Sequence, residues 1–138
     1  MRYISLLACC LMACPAFAES WPSMVGTWSG TSRSVVIGSG GHFEGTERPE
    51  ASFREIDFTI VWMSQDDGRY AGTITSNAHT ESIIGVASSD GTALYTVDHD
   101  GHSSGHFIDA DHFELCYTQT DIEHRQMVAS CVTFARQN

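Results

Sequence analysis

The sequence predicts an all-β domain, an antiparallel meander that closes into a small up-and-down barrel of about eight strands. Short runs rich in Val, Ile, Thr, Tyr and Phe alternate with turn clusters roughly every ten residues, a spacing typical of antiparallel sandwiches and barrels. No window has a sustained helical period of apolar residues. Because the connections are short, we expect neighbouring strands to pair in sequence order, and such a meander most naturally closes on itself.

The candidate strands are separated by recognisable turns. They are residues 25–37, 42–47, 55–64, 69–76, 81–88, 92–98, 103–109, 112–119 and 126–136. Asp67-Gly68 and Asp90-Gly91 tolerate the positive φ of tight hairpins, and Asp109–Asp111 predicts a third hairpin. A glycine-rich loop at 38–41 and a break at 47–50 precede the third strand.

Alternation along the long strands predicts which side chains face the interior. One face carries Phe58, Ile60 and Trp62, then Tyr70, Gly72 and Ile74, then Phe113, Leu115 and Tyr117, and finally Val128, Ser130, Val132 and Phe134. Successive side chains of a strand point to opposite faces, so Cys116 and Cys131 fall on the outer face. The sequence therefore predicts a disulfide in the barrel wall.

Residues 1–18 are predicted to be a cleavable signal peptide, and residues 19–138 the single domain. Arg2 is followed by an apolar run, and Ala16-Phe17-Ala18 forms a small-x-small cleavage site, in the order of a secretory signal. The run is shorter than the ~20 residues that span a bilayer. We therefore expect a periplasmic or secreted protein without a membrane span.

A lipoprotein is the alternative interpretation of the same segment. Leu11–Cys14 resembles a lipoprotein box in which Cys14 would be lipidated. Met12 and Pro15 are atypical for that box. Cleavage after Ala18 is the preferred interpretation.

Charge and cysteine content narrow the classes of partner. Without residues 1–18, six arginines, no lysine and 17 acidic residues leave a formal charge of −11. A nucleic-acid or anionic-membrane partner is not expected, because phosphate binding needs clustered cations. Cys116 and Cys131 are the two cysteines that remain, and an oxidising compartment favours their pairing.

Four motifs of the chain occur in the same order as in a known family of barrels. They are Val25-Gly26-Thr27-Trp28, Phe43-Glu44-Gly45-Thr46, Phe58–Trp62 with its hairpin to Tyr70-Ala71-Gly72, and Val132–Arg136. Together they resemble strands of the avidin and streptavidin type, a calycin-like group. The resemblance implies a small barrel with an interior ligand site. The chain is also similar to secreted proteins of unknown function from Gram-negative bacteria, which offer no activity to transfer.

The resemblance implies several site residues but argues against biotin. Ser34 matches the family's ureido-binding serine, Trp62 and Tyr70 match aromatic walls, and Tyr95 lies near a tryptophan position. Three expected polar contacts are missing: Gly30 replaces an asparagine, Glu47 a tyrosine, and Cys131 or Val132 a polar residue near the end. A buried ureido group would lose hydrogen bonds that are costly to leave unmade.

Histidines and carboxylates concentrate in residues 98–112. His99, His102, His106 and His112 are candidate metal ligands, because imidazole and carboxylate suit zinc and similar metals. No spacing typical of a zinc site accompanies them. A solvated polar hairpin is the preferred interpretation, and metal capture remains the alternative.

The leading functional hypothesis is a non-enzymatic barrel that binds a small, mostly apolar molecule between Trp28, Trp62, Tyr70 and Tyr95. No G-x-S-x-G motif, phosphate loop or dinucleotide fingerprint is present, so neither catalysis nor a cofactor is predicted. A protein-interaction or inhibitor module that uses loops 38–42 and 47–54 is the second hypothesis. Its partner would be another exported protein. The sequence leaves the oligomeric state open.

Overall fold

The described part of the chain forms nine antiparallel strands in a computed structural model. The structure describes residues 21–38, 42–43, 50–123 and 125–138, so the predicted signal peptide lies outside the described residues. The strands are β1 (Gly26–Ile37), β2 (Ser52–Arg54), β3 (Asp57–Asp66), β4 (Arg69–Thr75), β5 (Thr80–Ala87), β6 (Ala93–Val97), β7 (His102–Phe107), β8 (His112–Asp121) and β9 (Gln126–Arg136). Within those ranges, no helix is long and apolar enough to cross a membrane.

The sheet closes into a barrel, as the sequence predicts. Strands β3 to β9 pair with their neighbours in order, and β1 pairs with both β3 and β9. The closing ladder runs from Trp28 opposite Arg136 to Ile37 opposite Met127. Eight antiparallel strands therefore form a continuous wall, and their main-chain groups are paired around it.

The short strand β2 differs from the prediction. A strand was expected at 42–47, of which residues 44–47 lie outside the described residues. The strand that precedes β3 is Ser52–Arg54. It pairs with the second half of β1 at Ser34–Val36, beyond the point where the pairing of β3 with β1 ends. This strand satisfies main-chain groups that would otherwise form an open edge.

The predicted inward face is the interior of the barrel. Its predicted members are buried or half-buried, and Trp28, Val36, Ile83 and Leu94 join them. The tight turn between β3 and β4 has φ of 49° at Asp67 and 70° at Gly68, the two positive values that a two-residue hairpin needs. The turn chemistry and the alternation thus act together to fix the register.

The disulfide prediction is confirmed. Cys116 and Cys131 lie directly opposite each other on β8 and β9, with Cα atoms 4.1 Å apart and a bond between the sulfurs. Both side chains belong to the outer face, since their neighbours Leu115 and Val132 point inward. The bridge therefore fastens the wall and leaves the core free for apolar packing.

The two ends of the barrel differ in composition, and we name them accordingly. The tryptophan end comprises the β3–β4, β5–β6 and β7–β8 turns together with segment 21–25. The histidine end comprises the β4–β5, β6–β7 and β8–β9 turns together with His42 and Phe43.

Candidate functional site

Segment 21–25 covers the tryptophan end. The Trp21 ring lies over Gly68, where an added Cβ would approach the ring to 2.8 Å. Its indole N–H donates to Asp67 Oδ1 at 2.8 Å. The Gln65 side chain bonds both the Pro22 carbonyl, at 2.9 Å, and the Met24 N–H, at 2.8 Å. These contacts fix the segment across the barrel opening.

Arg136 and Trp28 complete this closure. The guanidinium stacks on the Trp28 ring, 4.1 Å from its centroid, a favourable cation–π contact. It also donates to the carbonyls of Ser23 and Val25. The Trp28 indole N–H donates to the Met24 carbonyl at 2.8 Å. The tryptophan end is therefore filled by side chains.

A cavity of about 40 Å³ lies in the half of the barrel that faces the histidine end. Its lining is His42, Phe43, Phe58, Ile74, Asp98, Ser103, Leu115, Tyr117, Ser130, Val132 and Phe134. This volume holds a few water-sized groups and is well below the roughly 300–1,000 Å³ of a typical ligand pocket. Only a very small molecule, or the end of a larger one, fits inside.

A buried carboxylate stands beside this cavity. Glu81 is on the inward face of β5, and its side chain is 2% exposed. Its Oε1 is 2.8 Å from His42 Nε2, and His42 Nδ1 is 2.7 Å from Ser76 Oγ. The Ser76 hydroxyl also accepts the Ala78 N–H at 3.3 Å. A chain of hydrogen bonds thus links the β4–β5 turn to the carboxylate.

The second oxygen of Glu81 is less well satisfied. Within the described part of the chain, Oε2 is buried and has no hydrogen-bond partner. His99 Nδ1 is 3.4 Å away, close enough for an ion pair when that imidazole is protonated, although the geometry is not that of a hydrogen bond. The His99 side chain is 71% exposed. A buried acceptor therefore lies directly beneath a solvent-exposed imidazole.

The pKa of the Tyr117 phenol reflects the negatively charged side chains at the histidine end. Burial raises the pKa of Tyr117 well above its ordinary value, and nearby carboxylates raise it further. These carboxylates are Asp98, Asp100 and Glu81. Both causes disfavour the phenolate, the first by desolvation and the second by repulsion between like charges.

The predicted ligand-binding residues lie in three different parts of the barrel. Trp28, Trp62 and Tyr70 lie inside, towards the tryptophan end, and do not line the cavity. Ser34 is buried and donates to Ser130 Oγ at 2.7 Å, which does line it. Tyr95 is on the outer face and 52% exposed, so it is not a wall of the interior. The site lies nearer the other end than the predicted aromatic walls.

The four predicted metal ligands also lie apart from one another, each beside a different partner. His99 approaches Glu81, His102 bonds Thr118, His106 faces Glu114 and His112 bonds Asp109. The described residues include no group of three or more His, Cys, Asp or Glu side chains arranged to hold one metal ion. The histidines instead pair one by one with strand neighbours and turn residues.

Sequence reasoning missed His42 and Glu81, for which one signal was present. In 81–88, Glu81 has the same alternation phase as Ile83, which marks a charged residue on the apolar face. Such a residue is rarely buried unless it is paired. No comparable local signal marks His42, because it reaches Glu81 from a loop 39 residues earlier.

The comparisons with known proteins concern the fold. The chain is a small closed β-barrel. It is similar to the crystal structure of a protein of unknown function from the DUF3598 family of Nostoc punctiforme PCC 73102, with 15% identity and a TM-score of 0.54. That match covers 83% of this chain and 47% of the other, so this chain spans about half of its length. A redesigned β-barrel is similar over 83% of this chain and 91% of its own, with 8% identity and a TM-score of 0.47. Neither a protein-family model nor a curated protein matches the sequence.

Proposed function

We propose that the protein is an exported, non-enzymatic binding module that takes a small, mostly apolar ligand, or the apolar end of a longer one, at the histidine end. The observation that carries this proposal is the cavity, whose lining is mainly apolar with a few polar groups. That combination is typical of ligand sites, in which polar groups orient an otherwise apolar ligand. Export to the periplasm or the medium is part of the proposal and rests on residues 1–18.

The avidin-type resemblance enters the proposal only through the type of barrel. A ligand other than biotin is proposed, because Gly30 stands where the family's asparagine would be. The aromatic residues that the resemblance assigns to walls pack into the filled half instead. The proposed site is therefore defined by the cavity and its polar neighbours.

A matched pair of substitutions tests the cavity. Ser103 lines it on β7, and Ser82 is exposed on the outer face of β5. We expect small alcohols and amines to raise the melting temperature of the native protein and of Ser82→Val. Ser103→Val fills the cavity and should abolish the shift. Equal shifts for both variants in a thermal-shift assay would contradict the proposed site.

The non-enzymatic part of the proposal has its own test. Ser76, His42 and Glu81 are linked in the order of a nucleophile, a base and a carboxylate, but Ser76 faces Nδ1 and Glu81 faces Nε2, the reverse of a hydrolytic triad. Since the Ser76 hydroxyl already caps the β4–β5 turn, we assign it a positioning role. Native protein and Ser76→Ala should hydrolyse p-nitrophenyl acetate at the same rate. Hydrolysis that depends on Ser76 would contradict this assignment.

A protein-interaction module is the second candidate, favoured by an apolar patch on the outer face. Ile84 lies opposite Val97 and Val86 opposite Tyr95, and all four side chains are about half exposed. Contiguous apolar patches of this kind commonly mark interaction sites. A photo-crosslinking residue at position 95 should trap a defined exported protein, and one at exposed Ser64 should not. Crosslinking from both positions alike would argue against the patch.

A further inference from the structure

We propose that the ligand of the histidine end carries a primary ammonium group, which binds Glu81 Oε2 in the place that the His99 imidazole occupies. This inference rests on the proposed function, since it assigns a chemical class to the ligand of the same site. Its basis is the buried carboxylate oxygen without a hydrogen bond, next to a cavity whose lining includes His42, the residue that bonds the other oxygen of that carboxylate.

The hydrogen bonds around His42 occupy one oxygen of the Glu81 carboxylate and leave the other available to a further donor. Ser76 Oγ accepts the Ala78 N–H, so its own proton is free to be donated to His42 Nδ1. In the tautomer that accepts this proton, His42 donates its Nε2–H to Glu81 Oε1. Glu81 Oε2 is then a buried acceptor without a hydrogen bond, which is costly to leave unmade.

His99 is the neighbour that a ligand would displace. Its Nδ1 lies 3.4 Å from Glu81 Oε2, and its side chain is 71% exposed. Because this contact lacks the geometry of a hydrogen bond and the imidazole is largely exposed, the imidazole is readily displaced. An ammonium group has three donors on a compact point charge, so it can take the position of the imidazole and form the short hydrogen bond that the present geometry lacks.

The side chains around the cavity favour a cation. Asp98 and Tyr117 line the cavity next to Glu81, and the carboxylates act on the phenol from close range. The chain has no lysine. Arg69 and Arg136 are both engaged at the tryptophan end. The carboxylates at the histidine end thus attract a positively charged ligand, and no lysine of the chain competes with it.

The size of the cavity and the side chains around the carboxylate further define the chemical class of the ligand. About 40 Å³ admits only a few heavy atoms of an aliphatic chain. A metal ion is a poorer fit, because no described group of three ligating side chains surrounds the carboxylate. The class is therefore a short aliphatic primary amine, or the aminoalkyl end of a longer molecule.

Titration of the native protein with three probes of equal chain length tests the inference. The probes are n-butylammonium, n-butanol and butyrate. The binding of each is measured by changes in backbone amide shifts in NMR spectra at about pH 7. We expect n-butylammonium to bind about tenfold more tightly than n-butanol, as for a hydrogen bond to a charged group, and butyrate not to bind. Equal binding of the amine and the alcohol would overturn the ammonium assignment and leave the proposed function standing. If neither binds, the proposed function fails as well.

Charge-matched variants locate the ammonium group. Glu81→Gln keeps the shape of the side chain and should remove the preference for the amine over the alcohol, whereas Glu55→Gln, at an exposed position outside the barrel, should keep it. His99→Gln removes the competing imidazole and should tighten amine binding. An unchanged preference in Glu81→Gln, with native-like amide dispersion, would overturn the proposal. If that variant does not fold, the comparison of probes on the native protein and on His99→Gln decides.

Discussion

The tryptophan end and the histidine end are built from the same eight strands, yet they are closed in different ways. At the tryptophan end, Trp21, Trp28 and Arg136 fill the opening. Trp28 and Arg136 donate to carbonyls of segment 21–25, and Trp21 donates to Asp67. At the histidine end, a cavity remains and a carboxylate oxygen of Glu81 is left without a hydrogen bond. Among the described residues the Trp62 indole N–H also lacks a hydrogen-bond partner, so the cavity, and not the unbonded oxygen alone, distinguishes the two ends. The difference teaches that side-chain packing is complete at one end and interrupted at the other, which is the end that we propose for binding.

The largest expected effect compares the same substitution at both ends. Phe113 is fully buried between Trp28, at 4.9 Å, and Phe134, at 5.1 Å, whereas Phe58 borders the cavity. Phe→Ala in a core costs about 3–5 kcal/mol, and a side chain beside a void has fewer contacts to lose. We expect about 5 kcal/mol for Phe113→Ala and about 3 kcal/mol for Phe58→Ala, measured by urea unfolding. Equal losses would remove the asymmetry in packing.

The disulfide tests whether the two ends unfold together. Replacing Cys116 and Cys131 by alanine should lower the free energy of unfolding by roughly 3 kcal/mol, as for a loop of about 15 residues. Because the bridge lies in the wall between β8 and β9, both ends should lose stability at the same denaturant concentration. Tryptophan fluorescence reports one end, and the ring signals of His42, His79 and His99 in NMR spectra report the other. Separate midpoints would show that the ends are independent units.

The third prediction concerns the closure of the tryptophan end. Arg136→Gln removes the stacking on Trp28 and the bonds to the Ser23 and Val25 carbonyls, which should cost about 1–2 kcal/mol. It should also shift Trp21 fluorescence to longer wavelength as segment 21–25 becomes exposed. Arg69→Gln is the control at the same end.

That control removes only an exposed pair. Arg69 bonds Asp66, and both side chains are largely exposed, so its loss should change stability by well under about 1 kcal/mol. A similar cost for the two arginine variants would mean that Arg136 contributes only as a surface charge.

The architecture was accessible from the sequence because each local signal agreed with the others. Asp67-Gly68 supplied the two positive φ values of a hairpin, and alternation from Phe58 to Trp62 marked one inward face. The same alternation set Cys116 and Cys131 on the outer face, where the structure pairs them. Agreement between turn chemistry and periodicity is what specifies a single register.

The candidate site was less accessible, for two physical reasons. In β6, both alternation phases carry apolar residues, so Leu94 inside and Tyr95 outside could not be told apart from the pattern. The outward Tyr95 joins a surface patch instead of a wall. The pairing of His42 with Glu81 depends on a contact across 39 residues. Local periodicity contains no information about such a contact.

The smallest expected effect compares one tyrosine from each end. Burial alone raises the pKa of Tyr70, whereas burial and then nearby carboxylates raise the pKa of Tyr117. Above about pH 10, the ordinary value, the unfolded chain releases these phenolic protons while the folded barrel retains them. Stability that is present below that pH is therefore lost as the pH rises. Tyr117→Phe and Tyr70→Phe should each lose less stability than the native protein between about pH 9 and pH 11 in urea unfolding.

Salt distinguishes the two tyrosines, because it screens repulsion between charges and leaves desolvation unchanged. At about 1 M NaCl the screening length falls to about 3 Å, so the carboxylates Asp98, Asp100 and Glu81 should act more weakly on Tyr117. The advantage of Tyr117→Phe over the native protein at alkaline pH should then narrow, and that of Tyr70→Phe should not. If both advantages respond equally to salt, the negative field at the histidine end is not what separates it from the tryptophan end. Its selectivity for a cation would then depend on the single contact at Glu81 Oε2.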